Sequence, residues 1–420
     1  MGRTVRAAAA GAICVTLASG VLAGGDARAA PSGRATLPAL SAAFLATSYA
    51  PGQLAALRIF GRVRRLELQI ERAGAERAWS SVGRPWGPPQ RLRIRRGSVN
   101  IVRLRVGPWA SGLYFARLTA PGGRAVAYAP FVVRPAASST TRVAIVLPTY
   151  SWQAYNFYDA DHDGRPDSWY ADQRRRSVTL GRPFAGEGKP PHYRTQQRGF
   201  LRFLVHTGKQ ADYLTDEDLE RIASGDDLAR RYDLIVFSGH EEYVTPHIYD
   251  LIERYRDLGG NLAFLSADNF FWRVDRGAQR IWRVELWRYL GRPEARLIGV
   301  QYRGNDRGGH AAPYVVTNAG AAPWLFAGLD IADGAPLGTA RYGIEFDMTS
   351  PDSPPGTTVL ATVEPGLADG TILGQMTYYE TPAGAKVFAA GTLGFGGSDG
   401  ATNPVATVLF QNLWQHLSAP

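Results

Sequence analysis

Leu234-Ile235-Val236-Phe237 runs directly into Ser238-Gly239-His240-Glu241-Glu242-Tyr243, and Thr245-Pro246 follows one residue later. Four consecutive apolar residues read as a strand buried on both faces. Thr245 fits an N-cap and Pro246 the first helical position. Ile248, Leu251, Ile252, Tyr255 and Leu258 then recur on one helical face before Gly259 stops the helix. Leu262–Leu265 is the next apolar run. Buried strand, helix, buried strand predicts a parallel sheet covered on both sides. Val143–Leu147 has the same character, Arg198–Thr207 has helical periodicity, and Thr215 with Asp218 three residues on fits a helix start. Residues 300–420 are richer in Gly, Pro and turns; they are expected to add β-structure to the same domain and to close with a helix over Val405–Leu417.

Towards the N-terminus the pattern changes. Short alternating runs recur at Leu54–Phe60, Leu66–Ile70, Val99–Val106, Leu113–Leu118 and Ala125–Val133, with Ala120-Pro121-Gly122-Gly123 as a hairpin break. This spacing predicts a β-sandwich over residues 35–134, without a catalytic cluster. Pro135-Ala136-Ala137-Ser138-Ser139-Thr140-Thr141 reads as a linker to an α/β domain over 142–420.

The first 29 residues read as a cleavable secretory signal. Arg3 and Arg6 precede an uncharged, Ala-rich run, and Ala27-Arg28-Ala29 supplies small residues for cleavage. The lone cysteine, Cys14, falls inside this segment, so the exported chain has no thiol chemistry and no disulfide. Ile13 before it does not fit a lipid anchor, and separated arginines do not fit the twin-arginine route. Cleavage after Ala29 leaves 44 basic and 36 acidic residues, a net charge of +8. In an exported chain that balance points to wall polymers or other anionic surfaces rather than nucleic acid. No later segment has the ~20 apolar residues that a membrane span needs.

Two constellations carry chemistry. Asp159, Asp161, Asp163 and Asp167 surround Gly164 in a D-x-D-x-D-G-x-x-D loop. Several carboxylate oxygens around a glycine turn suit calcium, in a structural role. The second is the His240-Glu241-Glu242-Tyr243 turn at the carboxyl end of a strand, where open α/β sheets bind ligands. A glutamine-amidotransferase-like domain would keep a nucleophilic cysteine there. Here the turn offers acid/base or metal-ligating groups instead, with His240 and Glu241 as acid/base residues and Asp268 as a further strand-end carboxylate.

Leu147-Pro148-Thr149-Tyr150-Ser151-Trp152-Gln153-Ala154-Tyr155-Asn156 resembles the opening of the C-terminal domain in the N,N-dimethylformamidase large-subunit family. Tyr213–Leu219, Gly239–Tyr243, Asn269–Arg273 and Gly343–Asp347 are similar to later segments of that family, in its order. The resemblance covers residues 142–420 and implies a glutamine-amidotransferase-like, mostly parallel sheet with added β-structure. It also implies an iron held by two tyrosines and a glutamate. By position these are Tyr155, Tyr170 (with Tyr193 in reserve) and Glu242, with His240 placed to move a proton. Phenolates and a carboxylate are hard donors suited to ferric iron. The function implied is hydrolysis of an amide-like C–N bond in a small molecule, and a small partner subunit is usual in the family. The competing expectation is a non-catalytic, calcium-stabilised module that binds the cell surface or a glycan and keeps the fold without the metal site.

Overall fold

The computed structural model describes residues 39–76, 82–367 and 370–419. The expected signal segment, with Cys14, lies outside the described residues. No helix among the described residues is long and apolar enough to cross a membrane.

Residues 39–134 form two sheets around one apolar cluster that includes Leu57, Ile59, Leu68, Tyr114 and Phe131. One sheet orders Leu40–Phe44, Leu54–Gly61 and Val99–Arg105. The other runs Ser48–Tyr49, Val126–Val133, Gly112–Thr119, Arg65–Arg72 and Arg84–Pro85, with Gln90–Arg93 also pairing on Arg65–Arg72. Leu54–Gly61 alternates buried residues with exposed or half-buried ones, because every second side chain points into the space between the sheets.

The second region is built on an eight-stranded sheet. Asp212–Thr215, Val143–Leu147, Leu234–Phe237, Asn261–Phe264 and Lys386–Ala389 lie side by side in parallel. Ile372–Glu380, Thr358–Leu367 and Val315–Val316 extend it antiparallel. Alternate residues of the parallel strands serve two cores. Val143, Ile145, Leu234 and Val236 face Phe200, Leu204, Phe410 and Leu413 of the helices Arg198–His206 and Pro404–Leu417. Ala144, Val146, Ile235 and Phe237 face Ile248, Leu251, Ile252 and Tyr255 of the helix Pro246–Asp257. A strand buried on both sides has no polar face, hence the unbroken apolar runs. Thr245 Oγ1 accepts the Ile248 N–H at 3.2 Å, and Thr215 and Asp218 exchange reciprocal capping bonds.

Val143–Leu147 lies between Asp212–Thr215, which follows it in the sheet's chain order, and Leu234–Phe237, which comes next. The chain leaving Val143–Leu147 therefore turns to one side and the chain leaving Leu234–Phe237 turns to the other, towards Asn261–Phe264, so the carboxyl ends of these two strands form the switch point where such sheets bind ligands. The two regions are joined closely: Ser48 Oγ donates to Asp218 at 2.7 Å, and Leu113 and Phe115 share a core with Leu201 and Tyr193.

Candidate functional site

Chain segments from three strand ends meet at this switch point. After Val143–Leu147 comes the short helix Thr149–Ala154, which sets down Tyr155 at its end. After Leu234–Phe237 the chain passes through Gly239, where a Cβ would lie 2.2 Å from the Gln197 side chain, so only glycine fits. His240 and Glu242 follow. Their turn is zipped to the one after Asn261–Phe264: Phe270 N–H donates to Glu241 O at 2.7 Å, and Phe271 and Trp272 N–H both donate to Glu242 O. Ser151 Oγ accepts the Glu242 N–H at 3.0 Å, tying this turn to the first helix.

The side chains converge. Tyr170 Oη lies 2.5 Å from Tyr155 Oη and 3.0 Å from Glu242 Oε2. The two phenol rings stack at 3.9 Å between centroids. His240 Nε2 is 2.8 Å from Tyr155 Oη and 3.1 Å from Glu242 Oε2, and its Nδ1 is 2.9 Å from Ala267 O. A carbonyl only accepts, so Nδ1 carries a proton and Nε2 faces the cluster. Tyr243 Oη closes the ring 3.3 Å from Tyr170. Tyr155 and Glu242 are buried, Tyr170 is half-buried, and the exposed His192 ring sits edge-on to Tyr155 at 5.5 Å. The site therefore opens on the Tyr170–His192 side.

Two more carboxylates enter, Asp268 from the turn after Asn261–Phe264 and Glu345 from the distant strand Glu345–Met348. Glu345 Oε2 lies 3.6 Å from His240 Nε2. Asp268 offers an oxygen within 4.8 Å of donor atoms on His240 and Glu242, and its Oδ1 has no hydrogen-bond partner. Asp347 accepts the Asp268 N–H with both oxygens, at 2.9 and 3.0 Å. Asp268, Phe270 and Ile344 all hold left-handed backbone angles that such side chains seldom adopt. Backbone strain thus gathers around the site.

The electrostatics follow from burial. Desolvation, then Glu242, pushes the Tyr155 and Tyr170 phenols well above their usual range. Burial pushes Glu345 up to about 7 and Asp347 up to about 7, and drives Asp268 well above the carboxylate range with help from Glu345 and Glu242. For His240, burial works downward, but Glu345 and Glu242 outweigh it and raise the imidazole to about 9. The cluster is short of positive charge. Its phenols stay neutral unless a cation arrives, and its oxygen-rich donors are those a hard cation wants. Two donor sets share Glu242: Tyr155 with Tyr170, and His240 with Asp268.

The remaining sequence candidates lie apart. Tyr193 is fully buried against Phe115, 5.6 Å between centroids, in the core between the two regions. Glu241 faces Asp216 rather than Glu242. Burial raises both carboxyls, Asp216 to about 6 and Glu241 well beyond, and each also answers to the other. Asp216 is held by Thr149 Oγ1 and Tyr150 N–H, each at 2.7 Å. Such a pair shares a proton and braces two strand ends. Because the folded values lie above the unfolded ones, the pair favours folding fully below ~pH 4 and loses that contribution as pH rises through about 6. Glu241→Gln removes the repulsion. Its melting temperature is expected to gain on the wild type as pH rises from 4 to 8 on that ~pH scale; a constant difference would refute the shared proton.

In the acidic loop, Asp159 accepts the His162 and Gly164 N–H groups, and Asp167 accepts that of Ala160. Oxygens of Asp159, Asp161 and Asp167 lie within 4.8 Å of one another, while Asp163 caps Arg165 N–H instead. Asp167 already has a cation, Arg175 at 2.5 Å. Arg182, buried, donates to Gln153 O and Asp167 O and so clamps the loop's end beside Tyr155.

The family profile described as N,N-dimethylformamidase beta subunit-like, C-terminal, matches residues 100–399. A strand-end site of phenols, carboxylates and one imidazole on a largely parallel sheet, with this match, defines the class: the chain belongs to the N,N-dimethylformamidase beta subunit-like family. The match begins within the N-terminal sheets, earlier than the resemblance read from residue 142. The N,N-dimethylformamidase beta subunit of Paracoccus aminophilus is 26% identical over 297 residues, covering 57% of this chain and 38% of that one. The Alcaligenes sp. protein of the same name is 25% identical over 304 residues, covering 59% and 39%. The chain thus matches about two-fifths of the length of these relatives. Among solved structures, a Paenibacillus sp. cycloisomaltooligosaccharide glucanotransferase covers 84% of this chain and 68% of its own at 9% identity, with a TM-score of 0.19, too low for a shared fold.

Proposed function

We propose that this protein is an exported, iron-dependent hydrolase of amide C–N bonds, with the ion held by Tyr155, Tyr170 and Glu242. The observation that carries the reading is the meeting of their three oxygens in a buried site, at 2.5 and 3.0 Å, where neither phenol ionises without a cation. The names of the relatives supply the substrate class, a small amide such as dimethylformamide, and a partner subunit. A bound ferric ion supplies a Lewis acid for the carbonyl and for water. The chain's own residues do the rest. His240, fixed through Ala267 O, presents Nε2 to the cluster and moves a proton between water and the leaving nitrogen. Glu345 beside it holds or releases a proton near neutrality. The half-buried Tyr170 and exposed His192 mark the path by which substrate enters.

In the same proposal the Asp159–Asp167 loop takes calcium through Asp159, Asp161 and Asp167, weakly, because Arg175 already neutralises Asp167. Elemental analysis of the purified protein tests both ions. Iron near one per chain is expected, with a visible tyrosinate-to-iron absorption band that Tyr155→Phe and Tyr170→Phe each weaken. Calcium is expected only at millimolar concentrations. Iron-free protein with an intact fold, still binding glycan or wall material, would instead establish the non-catalytic alternative.

A further inference from the structure

Charge is divided sharply between the two regions. Residues 39–134 hold 16 Arg, 3 Glu and no Lys or Asp, a net charge of +13. Residues 142–420 hold 27 basic and 33 acidic residues, a net charge of −6. The modest total hides this asymmetry. In the second region arginines are widely paired, as in Arg142–Asp233, Arg254–Asp226 and Arg276–Glu217. In the first, among the described residues, many are exposed and make no ion pair.

The fold collects them. Arg62, Arg64 and Arg65 lie in and after the turn that follows Leu54–Gly61; Arg93 ends the strand Gln90–Arg93, and Arg95 and Arg96 lie in the turn between it and Val99–Arg105. Backbone bonds dock the two turns: Ile94 N–H to Arg64 O at 3.1 Å, Gly97 N–H to Gly61 O at 2.9 Å, and Arg65 opposite Arg93 in the ladder. All six arginines are exposed, and none has an ion pair among the described residues. Like charges held together repel, so nothing in the free protein accounts for the grouping. Beside them, Val99–Arg105 turns Val99, Ile101, Arg103 and Arg105 outward on one face, with Leu54 opposite Arg105. Val99, Ile101 and Leu54 are 55%, 47% and 52% exposed.

We propose that this face docks on an anionic phospholipid surface. Guanidinium groups match phosphodiester oxygens in a forked geometry. The three exposed aliphatic side chains then enter the headgroup boundary, as on peripheral proteins that combine apolar and basic contacts. A soluble phosphate polymer would use the arginines and leave the aliphatics without a role. A single-stranded nucleic acid would call for exposed aromatic platforms, and the described residues of this region expose no large aromatic. The inference stands on a different region from the metal site and does not depend on it.

Vesicle co-sedimentation of the full chain tests it, comparing pure phosphatidylcholine with vesicles containing phosphatidylglycerol, at low and high salt. The wild type is expected on the anionic vesicles only, and to leave them at high salt. Each basic residue contributes roughly fivefold to such partitioning. Arg62→Glu/Arg64→Glu/Arg95→Glu/Arg96→Glu is therefore expected to weaken binding more than about a hundredfold with an unchanged melting temperature. Val99→Ser/Ile101→Ser, which is uncharged and also at exposed positions, is expected to weaken vesicle binding while leaving retention on heparin untouched. Wild-type indifference to anionic lipid, or equal binding by the arginine variant, would overturn the proposal. So would Val99→Ser/Ile101→Ser vesicle binding equal to wild type, which would make the face a polyanion site rather than a membrane site.

Discussion

Glu242→Gln is expected to strip the protein of iron and to lower kcat/KM for amide hydrolysis by about three orders of magnitude or more, since a Lewis acid contributes several kcal/mol and each ~1.4 kcal/mol is tenfold. It is also expected to make the metal-free protein more stable. Glu242 helps to hold Asp268 and Glu345 protonated where the unfolded chain would ionise them, the mark of a carboxylate crowded by like groups. Neutralising it relieves that crowding and keeps the shape. Loss of metal with a rise in apo melting temperature is thus the signature of a ligand, whereas loss of metal with a fall would indicate a collapsed fold. His240→Ala should separate from it by keeping iron and its absorption band while slowing turnover some 10²- to 10⁴-fold, the usual range for a general acid or base. Metal content, absorption and kinetics measured on the same preparations decide between the two roles.

The geometry of this site was partly readable beforehand, and the limits are physical. His240 and Glu242 sit in an extended turn, where side chains alternate. They point together, and Glu241 between them points to Asp216. That alternation was available in the sequence, and it argues against counting Glu241 with His240 in one acid/base pair. Tyr155 and Tyr170 meet because the chain between them loops out and Arg182 draws its end back. Tyr193, equally tyrosine-rich in its setting, is taken by the core against Phe115. Asp268 was marked only as a strand-end carboxylate and Glu345 only as part of the Gly343–Asp347 segment, and neither reading placed them against His240. Glu345 arrives through the ladder between Gln301–Asn305 and Glu345–Met348, and Asp268 through a left-handed residue held by Asp347. Long apolar strands and the capped helix Pro246–Asp257 declare themselves through period and caps. Short strands such as Ser48–Tyr49 and Arg84–Pro85 do not, because two residues establish no period.

The largest effect on stability is expected where the two regions meet. Glu76 follows the strand Arg65–Arg72, and its Oε1 lies 2.5 Å from Arg198 Nε at the start of the helix Arg198–His206. Both side chains are almost wholly removed from solvent, at 0% and 1% exposure. Arg202 Nη1 donates to Glu76 O at 2.6 Å, and Gly74 lies so close that a Cβ would stand 2.6 Å from Leu201 O. The segment is therefore seated on the helix backbone and cannot drift to let water reach a lone charge. Removing one member of a buried pair costs about 3–5 kcal/mol because the charge that stays behind loses its counter-charge, whereas replacing both with apolar groups of similar volume is often neutral or better. Glu76→Ala is accordingly expected to lower the urea midpoint sharply, and Glu76→Leu/Arg198→Met to recover most of the loss. The loss should be insensitive to salt, because screening does not reach a buried pair. Additive losses in the double variant would mean that each residue acts through separate contacts and that the pair does not join the two regions.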